Sequence, residues 1–579
     1  MYKPNSSHLQ ISFISHSKNI SDLPEQDRQD LEQTWAGVFY REFFCRINES
    51  PFAVLYADMP SRPNVPVNVL VGLDTLKAGH GWSDQEMMDA QRYNLQVRYA
   101  LGLPQLGEGN FDVRTVYNFR RRVVEHMQAT GENLIEKAFE HITDEQIEAY
   151  KLKTDKLRVD STQIASNIRK STRLRLLVEV LQRVHRILDE TDQERYADEF
   201  SPYTKGDAGQ YVYRVKPAES EQHLQAIGAV MRKLVAELAE TYAEEQAYQI
   251  LKRVFDEHYV AEEDSALRPK QGKELSAASL QSPDDEEATY RRKRGADYIG
   301  YVANATETCN PENDFQLIVK VQVEPNTTDD AKMLAEALPE LKERTHLQEV
   351  HLDGGYNSAD VDQTLAEQQV DLAQTAIRGA KPASEKLGLQ DFQWEMDAEG
   401  QPQHVICPQN VQATLTPGRK PDRYLAYFNQ SDCEACPLAE QCSTEALKNS
   451  PQRVLRCSKQ QVNVARRRQK TADLRASGQN LRAAVEATMR SIKHPFRNGK
   501  VPVRGNPRIS VMIIGSAAMS NVRRISRHLH QKNEPENEKS EQQSQNPASE
   551  SSVVFFFPRL SRFFSRLFAQ HCQLRSVGI

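Results

Sequence analysis

Three acidic residues hold the positions from which this 579-residue chain could do phosphoryl chemistry. In the stretch KLRVDSTQI, residues 156–164, a short apolar and β-branched run with Leu157 and Val159 ends on Asp160, followed by Ser161 and Thr162. A carboxylate at the carboxyl end of a buried strand lies where open α/β sheets build their sites, although an isolated aspartate there also serves as a turn cap. In EVHLDGGYNS a second strand, residues 347–352, delivers Asp353, and Gly354-Gly355 lets the backbone turn tightly behind it. The third acid, Glu486, lies inside the helical pattern LRAAVEATMRSIKH.

Hydrolysis or transfer of a phosphodiester requires neutral charge at the scissile phosphate and an activated water or 3′-hydroxyl. Two divalent ions roughly 3.5–4 Å apart supply both. Mg2+ takes hard oxygen ligands and keeps several waters, so a few converging carboxylates suffice. Asp353 stands 193 residues after Asp160, and Glu486 a further 133 on. The fold must therefore bring them together across long insertions, which are tolerable because loop-closure cost grows slowly with length.

The elements that would do so read as follows. Residues 25–150 are helical: Ser83-Asp84-Gln85-Glu86 forms a capping box, and Thr115 can cap VYNFRRRVVEHM. Arg120 and Arg121 on that helix are candidate DNA contacts, with an ordinary solvated face as the alternative. After the Asp160 strand comes a helical insertion, 170–260. Leu174, Leu177, Leu181, Val184 and Leu188 step by three and four, as do Ile227, Met231, Leu234 and Leu238, which predicts an intramolecular helical hairpin. Two strands at 298–308 and 315–323, a helix at 329–344, the Asp353 strand, a helix at 358–368 and a strand at 370–377 complete a mixed α/β sheet flanked by helices. Helices are expected again at 465–492 and 510–528. Residues 531–552 cannot bury apolar surface and read as disordered. The last stretch, VVFFFPRLSRFFSRLFAQ, is either an amphipathic surface-binding segment or a tail without a selected role.

Bulk properties exclude several classes. Charged residues make up 27%, mean hydropathy is −0.66, and the longest apolar run is too short to span a bilayer. MYKPNSSHLQISF lacks a charged region followed by an apolar core, so no secretory leader is expected. Net charge is −6, so any case for nucleic-acid binding must come from a local patch. One exists: Arg482, Arg490, Lys493, Arg497, Lys500, Arg504 and Arg508 lead a basic stretch in which Glu486 is the sole acid from 482 to 527. Eight cysteines are too sparse for a disulfide scaffold. Cys407, Cys433, Cys436 and Cys442 follow C-x25-C-x2-C-x5-C, a spacing that suits a structural four-thiolate Zn2+ site within a module at 396–460. His404 or Cys457 could replace Cys407, and unpaired thiols from a decayed site are the alternative.

The neighbourhoods VDSTQIASN, HLDGGYNS and RAAVEATMRSIK resemble the acidic triad of DDE transposases from bacterial insertion sequences. Arg482, Glu486 and Lys493 stand at the family spacing R-x-x-x-E-x-x-x-x-x-x-K. Relatives often carry Tyr where this chain has Gln479. The segment 60–103 resembles the helical N-terminal domain of such proteins, 282–309 the entry to their second core strand, and CPLAEQC their cysteine-bearing insert. The resemblance runs from about Leu31 to His528. It implies a ribonuclease-H-like catalytic domain (151–528), a helical N-terminal DNA-binding domain (25–150), and a disordered linker and amphipathic tail (531–579). It further implies DNA cleavage and strand transfer at element ends, with Asp160, Asp353 and Glu486 holding two Mg2+ ions and Arg482, Lys493, Arg490 and Arg497 on DNA. Transposon ends and target DNA are the expected partners, with homo-oligomerisation on DNA, no stable membrane association, and a cytoplasmic, nucleoid-associated location. A transposase-derived binding factor and a metal-dependent nuclease are the alternatives.

Overall fold

The central sheet is built on β1 (Lys156–Ala165). It pairs antiparallel with β2 (Ala296–Thr308), and β2 pairs antiparallel with β3 (Ile318–Pro325). On its other side β1 pairs in parallel with β4 (Glu349–Leu352), which pairs in parallel with β5 (Asp371–Gln374). A short strand, Thr289–Lys293, adds to the outer end of β2. This is a computed structural model that describes residues 2, 23–57, 63–103, 105, 108–261, 267–293, 295–374, 386–397, 400–448, 450–476 and 480–533. The tail after 533, Gln479, and the last three residues of the strand expected at 370–377 lie outside the described residues. The mixed sheet with its helical N-terminal region is consistent with a ribonuclease-H-like transposase fold.

Strand alternation sorts the side chains of β1 onto two faces. Leu157 and Val159 join Val350 and Leu352 of β4 in a core closed by Leu334, Leu338 and Leu341 of α4 (Asp330–Thr345). Each such fully buried leucine contributes about 1.5–3 kcal/mol. Arg158, Asp160 and Thr162 therefore face the other side. There lies α6 (Val485–Lys493), with Val485, Thr488, Met489 and Ile492 buried at helical spacing. α5 (Lys459–Ala476) precedes it and α7 (Asn506–Asn533) follows. A single helix was expected over 465–492. The chain instead breaks, with Asn480 and a turn at 481–484 before α6, in a stretch where Gly478 and Asn480 disfavour helix.

The described residues up to His528 form one compact unit. Within it, α1 (Val67–His80) is buried on almost every side. It lies so close to α7 that a Cβ on Gly79 would fall 2.1 Å from Met519 Cγ, and one on Gly515 2.9 Å from Ala78 Cβ. Glycine is what permits that approach. α2 (Val113–Thr130) starts three residues earlier than expected, because Asp112 rather than Thr115 is its cap and accepts from the Arg114 amide. The capping box at Ser83 forms as expected, with Ser83 N donating to Glu86 Oε2 at 2.7 Å. α3 (Leu134–Tyr150) ties to the sheet through Glu140, which accepts from Lys320 of β3 at 2.8 Å.

The insertion runs from helix Arg173–Ile187 to helix Gln246–His258. Both leucine-rich seams enter one buried cluster, as an intramolecular hairpin requires. The cysteine region holds more structure than its sequence suggests: strands between Gln393 and Ser458 form a six-stranded antiparallel sheet. Among the described residues no helix is long and apolar enough to cross a membrane.

Candidate active site

Parallel pairing sets Arg158 beside His351. Continuing that register two residues brings Asp160 alongside Asp353, on the sheet face that α6 covers. Arg482, in the turn that enters α6, binds both. Its Nη2 lies 3.1 Å from Asp160 Oδ1 and 3.7 Å from Asp353 Oδ2. Arg482 Nε is buried with no hydrogen-bond partner. Asp353 also caps the turn behind it, Oδ1 accepting from the Gly355 amide at 2.6 Å. Burial pushes the Asp160 carboxyl above its ordinary range, Asp353 adds to that, and Arg482 opposes it.

Glu486 lies one helical turn after Arg482 and is exposed. Among the described residues, no group of three His, Cys, Asp or Glu side chains is drawn together so as to hold a metal ion. Two hard-oxygen donors that converge on a bridging cation fit a divalent ion in their chemistry. The third expected donor is on the right helix but not in their contact shell.

Lys493, two turns beyond Glu486, donates from Nζ to Thr162 Oγ1 at 3.1 Å and to the Gln163 carbonyl at 3.3 Å. Among the described residues it has no acidic partner, and burial pulls its pKa below the ordinary lysine value. Helix α6 is thus laid along β1, with Arg482 at Asp160 and Lys493 at Thr162. Arg490 and Arg497 are exposed nearby. The structure gives Arg120 different work: Nε and Nη2 grip Asp74, and Nη1 reaches Asp84 at 2.7 Å, a strut within the helical region. Arg121 is exposed, 3.5 Å from Glu125.

A groove of about 1600 Å3 opens beside the Asp353 turn, reached by Gly354, Gly355 and Asn357. Its cations include Arg423, Lys459, Arg466 and Arg467. Arg467 pairs with Asp362, whereas Arg423, Lys459 and Arg466 have no acidic partner among the described residues. Arg423 and Lys459 escape sequence reasoning because they come from a strand and a helix start with no shared pattern. Asp330 escapes it too. It is buried on the opposite sheet face, where Ser161 Oγ donates to its Oδ2 at 2.9 Å. Tyr356 feels all three aspartates: burial first, then Asp330, Asp160 and Asp353, push its hydroxyl well above the ordinary tyrosine range.

Cys407, Cys433, Cys436 and Cys442 line one small cavity of about 40 Å3. Burial raises the Cys433 thiol, and the three other thiols reinforce that. Neither His404 nor Cys457 lines the cavity; Cys457 is buried against the Tyr424 carbonyl.

Comparison with known families meets this geometry at both ends of the chain. Residues 406–526 match the model of a transposase DDE domain, and residues 27–122 that of a transposase domain (DUF772). The two matched segments, 121 and 96 residues, together span under half of the chain and liken it to transposases. More narrowly, the two matches support a DDE transposase of the insertion-sequence type, whose substrate is DNA. The first match spans Arg482, Glu486, Lys493 and the cysteine module, while Asp160 and Asp353 lie outside both. No curated protein and no solved structure matches the chain.

Proposed function

We propose that this chain cuts phosphodiester bonds at the ends of an insertion sequence and joins the freed 3′-hydroxyl to target DNA. One observation carries the reading: two aspartates 193 residues apart in sequence face one guanidinium, set a single turn before Glu486. Asp160 and Asp353 would hold Mg2+, with Glu486 of α6 completing the set. Bound there, the ions supply charge neutralisation at the scissile phosphate and acidify the attacking hydroxyl. Lys493, anchored at the end of β1 without an acid, docks a phosphate, and Arg490 and Arg497 extend that contact. The groove beside Asp353 guides the duplex backbone through Arg423, Lys459 and Arg466. The four cysteines line one cavity but are not drawn into a metal-holding group; a structural Zn2+ that closes the antiparallel module would need their thiolates to close on it, as a four-thiolate set with no open position for catalysis.

A second reading, a factor that holds DNA without cutting it, is favoured by the exposure of Glu486 and by the lack of a three-acid group among the described residues. Purified protein with Mg2+, a plasmid target and labelled element ends separates the two. Strand-transfer product supports the first, retention without cleavage the second, and cleavage without joining a nuclease.

A further inference from the structure

Behind the aspartate pair lies a charged cluster that touches neither of them. Glu307 of β2 has no solvent exposure and stands directly across from Arg158, two residues before Asp160 on the same strand face. Its Oε1 accepts from Arg158 Nε at 2.7 Å and its Oε2 from Arg524 Nη1 of α7 at 2.7 Å. The hydroxyl of Thr488, two residues after Glu486 on α6, donates to the same carboxylate, 2.9 Å from Oε1 and 2.8 Å from Oε2. Arg158 then extends Nη1 to the carbonyl of Leu481, at 2.6 Å, the residue just before Arg482.

One buried carboxylate is thus shared by the strand of Asp160, the helix of Glu486 and the helix that follows. Burying a glutamate with two arginines is a poor route to stability, because desolvation consumes most of the attraction and an apolar set would hold the elements at least as well. Apolar packing is non-directional, though, and lets a helix slide along a strand. Hydrogen bonds donated to a carboxylate fix the helix in one place.

We infer that Glu307 is a positioning residue: through Arg158 and Thr488 it sets where the Arg482–Glu486 segment lies along β1, and so its distance from Asp160 and Asp353. The inference rests on the proposed function for its catalytic consequence, but not for its geometry. A shift of about 1 Å in such a constellation costs on the order of a hundredfold in rate.

The test uses the full chain and three variants. Thr488→Val removes the helix's tie to the carboxylate together with the bond that Arg524 Nη2 donates to the Thr488 hydroxyl, Glu307→Gln removes the charge and keeps the shape, and Leu334→Ala opens the core on the opposite sheet face. Three quantities are read: the Arg482–Asp160 separation in crystals, DNA affinity, and the single-turnover cleavage rate below the melting temperature. Thr488→Val and Glu307→Gln are expected to lengthen the separation by about 1 Å and slow cleavage at least about tenfold, with DNA affinity unchanged. Leu334→Ala is expected to melt lower yet keep both separation and rate. An unchanged separation in both Thr488→Val and Glu307→Gln overturns the inference, as does an equal rate loss in Leu334→Ala. If the wild type binds DNA but never cuts it, the proposed function fails, and the separation alone decides the role of Glu307.

Discussion

Replacing Arg482 with glutamine is expected to tighten, not weaken, divalent-ion binding by the DNA-free protein. Arg482 now supplies the positive charge between the two carboxylates, its nearer contact at 3.1 Å and its farther one at 3.7 Å. Arg482 and Asp160 are each 15% exposed, so their contact is a partly buried, charge-assisted one, worth about 1.5–3 kcal/mol. The Asp353 contact is longer and that side chain is 36% exposed, so solvent screening leaves it little. An entering ion competes with about 2 kcal/mol of this attraction, and removing the competitor raises affinity roughly thirtyfold. Loss of the guanidinium also lets the Asp160 carboxyl rise further, so the titration with Mn2+ is run on the alkaline side of neutrality. Calorimetry on wild type, Arg482→Gln, and Arg482→Gln combined with Asp353→Asn checks this. Equal or weaker binding by the single variant refutes the reasoning; strong binding by the double variant puts the ion elsewhere.

Asp160→Asn, Asp353→Asn and Glu486→Gln should each abolish cleavage while DNA still binds in a gel-shift assay; a variant that cuts at the wild-type rate removes its residue from the ligand set. Cys433→Ser or Cys436→Ser should lower both zinc content and melting temperature, and a chelator should do the same to the wild type; full stability without zinc rules out the structural site. Arg423→Ala together with Arg466→Ala should weaken binding to all duplexes alike and reduce the salt slope by about two, and an unchanged slope would take DNA out of the groove. His258 is buried with both ring nitrogens unpartnered, and burial, then Arg173 and Lys270, pull it from 6.5 to about 4. The unfolded chain therefore binds the extra proton first: stability is full above pH 6.5 and falls by about 3 kcal/mol as pH drops toward 4. His258→Leu should flatten that part of the urea-denaturation profile, and an unchanged slope would assign it to other groups.

Much of the sheet was legible because its strands are apolar and punctuated. The strand delivering Asp353, the α4 amphipathic pattern and the leucine seams of the insertion all keep their periodicity. The partition of charges was not legible. Arg120, Arg121 and Arg122 look alike in sequence, and only Asp74 and Asp84, 46 and 36 residues away from Arg120, decide which of them turns inward. Glu307 gives no signal either, because a single glutamate in a strand reads as solvated until Arg158 and Arg524 are placed beside it. The antiparallel module stayed hidden because its strands are only two to seven residues long and alternate weakly. Asp353 was found from its strand end and Glu486 from its spacing to Arg482 and Lys493; Asp160 was expected at a strand end too, but β1 runs on to Ala165 and Asp160 pairs with Ala305 inside it. What spacing could not show is that Glu486 remains outside their contact shell.

The glycine-mediated seating of α1 on α7 also constrains how the polypeptide is made. α1 leaves the ribosome early, yet the surface that covers it is encoded more than 400 residues later. At about 5–20 residues per second that greasy helix waits tens of seconds without its cover. A product terminated before residue 506 never obtains it, so truncated copies of the gene should yield aggregates, not a soluble amino-terminal fragment able to compete for element ends.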